Sequence, residues 1–209
     1  MLKKIILIFA PFFLMASWEE VAVKGLDVMI SANVGDSENF KRSLSSLIER
    51  AAREYAKSGI TQYELDLPNF IAKKTSPNSP AARTMRRSLT QSLTPAIPNL
   101  KQILQTKISA MDENSTQAIM RGELSLAHYM RVNAFNEIYA ALRPNIENLA
   151  SDTSFAKSYK NATGSEIGDD FANEFTSEFL NDAFDKLVAH EHEFRNSTDA
   201  IFNILKTIR

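Results

Sequence analysis

Apolar residues recur every three to four positions along most of this chain, which is the spacing of one buried face of a helix. Phe40, Leu44, Leu47, Ile48, Ala51, Ala52 and Tyr55 form the first such stripe, capped by Asp36 or Ser37 and stopped at Gly59. Tyr63, Leu65 and Leu67 then alternate with polar residues, which predicts a short extended piece, and a short helix is predicted over 69–74. Pro80 suits the first position of a helix capped by Ser79, with Met85, Leu89 and Leu93 as its stripe. Pro95 and Pro98 predict a break or kink, after which Leu100, Ile103, Leu104 and Ile108 resume the pattern to about Ala110.

Asp112 predicts the cap of a short helix ending at Gly122, and Ser125 opens a long one. The long stripe runs through Leu126, Tyr129, Met130, Phe135, Ile138, Tyr139 and Leu142. Pro144 is expected to interrupt it before Ile146 and Leu149. A short helix around Phe155 and Tyr159 should end near Gly164. Over 169–194, Phe171, Phe175, Phe179, Phe184, Leu187, Val188 and Phe194 share a face. Ser197 or Thr198 should cap a last helix carrying Ile201, Phe202, Leu205 and Ile208. The expected fold is all-α: an irregular bundle of about seven helices, without an internal repeat. With only 6 Gly and 7 Pro in 209 residues, few turns are signalled, and long elements follow.

The N-terminus follows a different pattern. Lys3 and Lys4 precede the uncharged run Ile5 to Met15, and Ala16 and Ser17 supply small residues before Trp18. This is the three-part order of a secretory signal peptide, and the run is about half the ~20 residues a spanning helix needs. The expected organisation is a signal peptide over 1–17, a lead-in over 18–36 and one helical domain over 37–209. An uncleaved anchor or a buried N-terminal helix is the alternative. Export places the chain in the periplasm or outside the cell, and no transmembrane segment is expected after cleavage. Cysteine is absent, which excludes disulfides, thiolate catalysis and thiolate metal sites.

Charge is balanced in total, at −1, but not along the chain. Between Asp66 and Asp112 there is no carboxylate, while Lys73, Lys74, Arg83, Arg86, Arg87, Lys101 and Lys107 are all cationic. Residues 165–200 hold ten carboxylates against Lys186 and Arg195. Such blocks most simply face each other across helix seams. The functional alternative is a basic face of Lys73, Lys74, Arg83, Arg86 and Arg87 that meets an anionic partner, such as phospholipid head groups. Nucleic acid is not an expected partner, because the chain is mildly acidic overall and carries no binding motif.

Motifs with chemistry are few. His190 and His192 flank Glu191 and sit two apart, on different sides of a helix, unlike the zinc-protease spacing of histidines four apart. They read as a solvated helix end. Asp169 with Asp170 and Glu191 with Glu193 read as the wet face of an amphipathic helix, although a carboxylate–histidine site around Glu191 is the enzymatic alternative. No nucleophile elbow, phosphate loop or dinucleotide fingerprint is present. The triplets beginning at Asn114, Asn161 and Asn196 read as helix caps or turns rather than glycosylation sites. The aromatic face of 169–194 reads as core, with an apolar groove as the alternative. No catalytic residue, cofactor or metal is assigned.

Three stretches resemble the bacterial envelope family known as domain of unknown function (DUF) 4197. They are Met111 followed by Ile119, Met120, Gly122, Tyr129, Met130, Leu142 and Pro144; Phe184 to Arg195; and Leu65 to Pro68. The resemblance implies a signal-bearing, helical, periplasmic protein and brings no activity or functional residue with it. A non-enzymatic envelope protein binding a protein partner or lipid is the expected role. A purely structural module acting through oligomerisation is a further alternative.

Overall fold

A computed structural model describes residues 36–58 and 65–207; the expected signal peptide, most of the expected lead-in, Tyr63 and the expected stop at Gly59 lie outside those residues. The described chain is helical throughout, with no strand. Its elements are α1 (Ser37–Ser58), the one-turn α2 (Asn69–Ala72), α3 (Pro80–Leu93), α4 (Ile97–Ser109), α5 (Glu113–Met120), α6 (Leu126–Ala150), α7 (Thr153–Thr163) and α8 (Phe171–Thr207). Seven of these are two turns or longer. The all-α bundle is therefore as the periodicity implies.

Helix starts follow the capping residues. Asp36 Oδ1 accepts from Asn39 N–H at 2.9 Å, and the Ser79, Asp112, Ser125 and Asp152 side chains cap α3, α5, α6 and α7. Each satisfies an N–H that a helix start leaves without an internal partner. Gly164, at φ 76°, ends α7 in the left-handed conformation that costs glycine least. Pro95 and Pro98 separate α3 from α4 through a single 3-10 turn, Thr94–Ala96. Residues 65–68 form no strand: Leu65 and Leu67 are buried singly, and Leu65 N–H donates to the buried Thr90 Oγ1.

Three expectations about prolines, caps and turns need correction. Pro144 does not interrupt α6, which is continuous across it. Pro144 and Ala140 face solvent, so water can take the carbonyl that loses its partner. On the opposite side Ala134, Ile138, Leu142, Ile146 and Leu149 form one buried row, and packing that row outweighs the ~3 kcal/mol proline cost. Nor do Ser197 or Thr198 start a new helix, since α8 runs unbroken from Phe171 to Thr207. Asn114, Asn161 and Asn196 lie within helices rather than at caps or turns.

α6 is the axis of the bundle, packed against α3, α4, α7 and most extensively α8. It runs antiparallel to α8: Tyr139 and Arg143 meet Asn173, Arg131 meets Asp185, and the start of α6 meets Glu191. One contiguous core runs from Phe40 on α1 to Phe184 on α8. Its densest part is aromatic. Phe155 packs edge-on against Phe171 and Phe175 at 5.9 and 6.3 Å, and Phe70 of α2 does the same to Phe175 at 6.1 Å. The aromatic face of α8 is thus core between Phe171 and Phe184, not an open groove.

Candidate functional site

The basic face is built from the segment after α2 and the first turns of α3. α2 docks on α8: Asp182 accepts from Asn69 N–H and Nδ2, both at 2.6 Å. The chain then leaves α2 with Lys73 and Lys74 exposed, turns through Pro77, and enters α3. Ala82, Met85, Leu89 and Leu93 point α3 into the core, which forces Arg83 and Arg87 outward, one turn apart. Arg86 is half-buried between these faces, and its Nη2 donates to Pro77 O at 2.8 Å. The structure thus gathers all five residues singled out in the sequence around one turn and helix start.

This arrangement works against helix stability. The first turn of α3 holds no acidic residue and ends in Arg83. The N-terminal end of a helix carries partial positive charge and favours carboxylates by about 0.3–1 kcal/mol each. Arg83 and Arg87, four apart, also repel by a few tenths of a kcal/mol. Lys73, Lys74, Arg83 and Arg87 make no ion pair with described residues.

Among the described residues, the ion pairs of Lys101, Lys107 and Asp185 lead away from the opposite charge block. Lys101 pairs with Glu49 on α1 at 3.0 Å, and Lys107 with Glu137 on α6 at 2.6 Å. On α8, Asp185 pairs with Arg131 at 2.5 Å. Among the described residues, polar ties between α8 and the chain around α2 include Asp182 to Asn69 and Lys186 to Asp66, the latter at 3.1 Å.

Beside the basic face lies a cleft of about 210 Å³, lined among others by Asp66, Asn69, Thr75, Pro77, Arg86 and Lys186. Its size is below the ~300 Å³ at which drug-sized ligand sites begin. Lys186 was legible only as an exception inside an acidic run; nothing in the sequence says that it reaches Asp66, 120 residues away.

Glu191 is the residue that sequence reasoning misplaced. It is not on a solvated helix end but 5% exposed. Its Oε1 accepts from Leu126 N–H at 3.0 Å, and its Oε2 accepts from Ala127 N–H at 3.2 Å and from Ser125 Oγ at 2.6 Å. The carboxylate therefore closes the N-terminal end of α6, where backbone N–H groups and helix dipole both favour an anion. The signal was present: Glu191 falls four residues after Leu187 on the row that Phe184 and Leu187 define. A carboxylate on an apolar row needs a partner of this kind.

Among the described residues, the partners of Glu191 are the donors at the start of α6 and not a histidine. His128 and His192 are exposed, the His190 side chain lies outside the described residues, and among the described residues no group of three or more His, Asp or Glu is placed to hold a metal. The perturbed carboxylates lie elsewhere. The Ser37 hydroxyl, 2.6 Å from Glu113 Oε1, and then Gln117 hold Glu113 below the ordinary carboxylate range. Hydrogen bonds from Ser115 do the same for Asp112. Both shifts favour the ionised form and move away from the near-neutral value a general acid or base needs. These groups tie α1 to α5. Tyr129 is pushed up, chiefly by burial.

Comparison with protein-family models, with curated proteins and with solved structures finds no match to this chain.

Proposed function

We propose that this chain is an exported, periplasmic envelope protein that works by binding rather than catalysis, presenting Lys73, Lys74, Arg83, Arg86 and Arg87 to an anionic phospholipid surface. The observation that carries the reading is the clustering of these cations in the turn after α2 and the first two turns of α3, with Arg83 set against the helix dipole and with Lys73, Lys74, Arg83 and Arg87 lacking an ion-pair partner among the described residues. Lys73, Lys74, Arg83 and Arg87 are exposed and suited to an external anion, while Arg86 is held beside them by Pro77 O. The leader-like pattern over 1–17 and the motif-level resemblance to the DUF 4197 family support export.

An apolar docking mode has less support. Val132 is the single exposed large hydrophobic side chain among the described residues, and no described helix is long and apolar enough to cross a membrane. Peripheral attachment by charge is the mode left to such a surface. Each Lys or Arg close to an anionic leaflet contributes about 1 kcal/mol, so replacing Arg83, Arg86 and Arg87 together by Ala should weaken binding roughly 100-fold. Co-sedimentation with vesicles containing phosphatidylglycerol, at low and high salt, measures this. Retention unaffected by the triple substitution, in a protein whose helical spectrum is intact, would remove the proposal.

A further inference from the structure

We infer that the cleft lined by Asp66, Asn69, Thr75, Pro77, Arg86 and Lys186 is a phosphate subsite of the basic face, selective for a phosphate group that still carries a proton. The inference rests on the basic face being a binding surface and adds the chemistry of what it takes. At about 210 Å³ the cleft is large enough for a phosphate group with a short substituent. Two cations approach it from different elements. Arg86 comes from α3, with its guanidinium held at the wall by Pro77 O at 2.8 Å. Lys186 comes from α8 and is one of the two cations in the acidic block. A guanidinium presents a planar fork of five donors, matched to phosphate oxygens, and an ammonium presents three. Lys73, Lys74 and Arg83 stand exposed nearby on the same face.

Asp66 is the informative member. Its Oδ2 takes Lys186 Nζ at 3.1 Å, and its Oδ1 has no partner among the described residues. A carboxylate in an anion cleft repels a fully deprotonated oxyanion but accepts a strong hydrogen bond from a P–OH group. Phosphomonoesters have a second pKa near 6, and inorganic phosphate keeps at least one proton at neutral pH, whereas sulfate keeps none. The same rule separates phosphomonoesters, which keep a P–OH group at and below a pH near 6, from phosphodiesters, which have none. Asp66 therefore makes the cleft a discriminator rather than a general anion site.

The test uses the full chain and two probes of similar size, inorganic phosphate and sulfate, followed by backbone amide shifts. Phosphate should perturb Asn69, Thr75, Arg86 and Lys186, and sulfate should bind at least about tenfold more weakly. Asp66→Asn should erase that difference, and Arg86→Gln should weaken phosphate about tenfold. Equal binding of the two ions, or shifts confined to residues away from the cleft, overturns the inference and leaves vesicle attachment through Arg83 and Arg87 standing. Vesicles with phosphatidate against vesicles with phosphatidylglycerol, matched for charge and held at about pH 6 where a monoester keeps part of its P–OH, then separate a lipid source from a soluble one. A preference for phosphatidate assigns the cleft to a lipid head group. Equal retention, together with selective binding of free phosphate, assigns it to a soluble phosphomonoester. Loss of all vesicle binding with phosphate selectivity retained removes the membrane reading without removing the subsite.

Discussion

Replacing Glu191 by Ala should destabilise the protein by about 3–4 kcal/mol, an unusually large effect for a charged residue late in a helix. The magnitude follows from what the carboxylate holds. Leu126 and Ala127 are 5% and 8% exposed, so their N–H groups have little access to water once Glu191 is gone. Each buried donor left without a partner costs about 1–3 kcal/mol, and the lost anion at a helix start adds up to about 1 more. The three hydrogen bonds share one side chain, so their separate values do not simply sum. Ser125 moderates the loss, because its Oγ still accepts from His128 N–H at 3.1 Å. Glu191→Gln keeps the length and one acceptor oxygen and should cost less, about 1–2 kcal/mol. Urea unfolding followed by circular dichroism measures this. With a slope of about 2 kcal/mol per molar, the Ala variant should lower the midpoint by roughly 1.5–2 M. A double-mutant cycle with Ser125→Ala should give a coupling of about 1–2 kcal/mol. An Ala variant within about 0.5 kcal/mol of the parent, as expected of an ordinary surface position, would refute the reasoning.

Three further outcomes follow from the same structure. Asp112, Glu113, Glu49 and Glu123 are held below the ordinary carboxylate value, by hydrogen bonds from Ser115, Ser37, Lys101 and Arg121 respectively, so their contribution is complete above the unfolded values near pH 4 and is lost as pH falls through the lower folded ones. Thermal midpoints should therefore drop on the acid side of about pH 4, and Asp112→Asn with Glu113→Gln should flatten that slope; an unchanged slope in the double variant contradicts the assignment. Phe175→Ala, at a fully buried centre of the aromatic cluster, should cost about 3–5 kcal/mol by the same urea assay. Gly164→Ala meets no atom within 4 Å, so its cost of about 1 kcal/mol should come from the left-handed backbone alone, and Gly164→Asn should recover part of it.

Much of the fold was legible because local rules and tertiary packing agree. Ser79, Asp112 and Ser125 are good caps in sequence and are caps in the structure, and the rows beginning at Phe40, Met85 and Phe171 are core. Legibility failed where long-range contacts decide. Pro144 is a helix breaker by local rule, yet the row from Ala134 to Leu149 packs so well that α6 passes through it. Glu191 looked solvated because charge suggests exposure; its partner, the start of α6, lies more than 60 residues away. The basic face was readable as composition, since the cations cluster in sequence. The cleft was not, because Lys186 and Asp66 come together only through the docking of α2 on α8.

The chain has no cysteine, so one introduced thiol reports one position. A probe attached at Asn78→Cys, exposed in the turn between Lys74 and Arg83, reads directly whether this face meets the bilayer; a second at Val132→Cys, 68% exposed on α6, serves as reference. On vesicles of phosphatidate or phosphatidylglycerol at low salt, the probe at 78 should lose access to an aqueous quencher and regain it in high salt, while the probe at 132 stays accessible. Shielding at 132 with 78 still open, or no shielding at either, would contradict the claim that Lys73, Lys74, Arg83, Arg86 and Arg87 form the binding face.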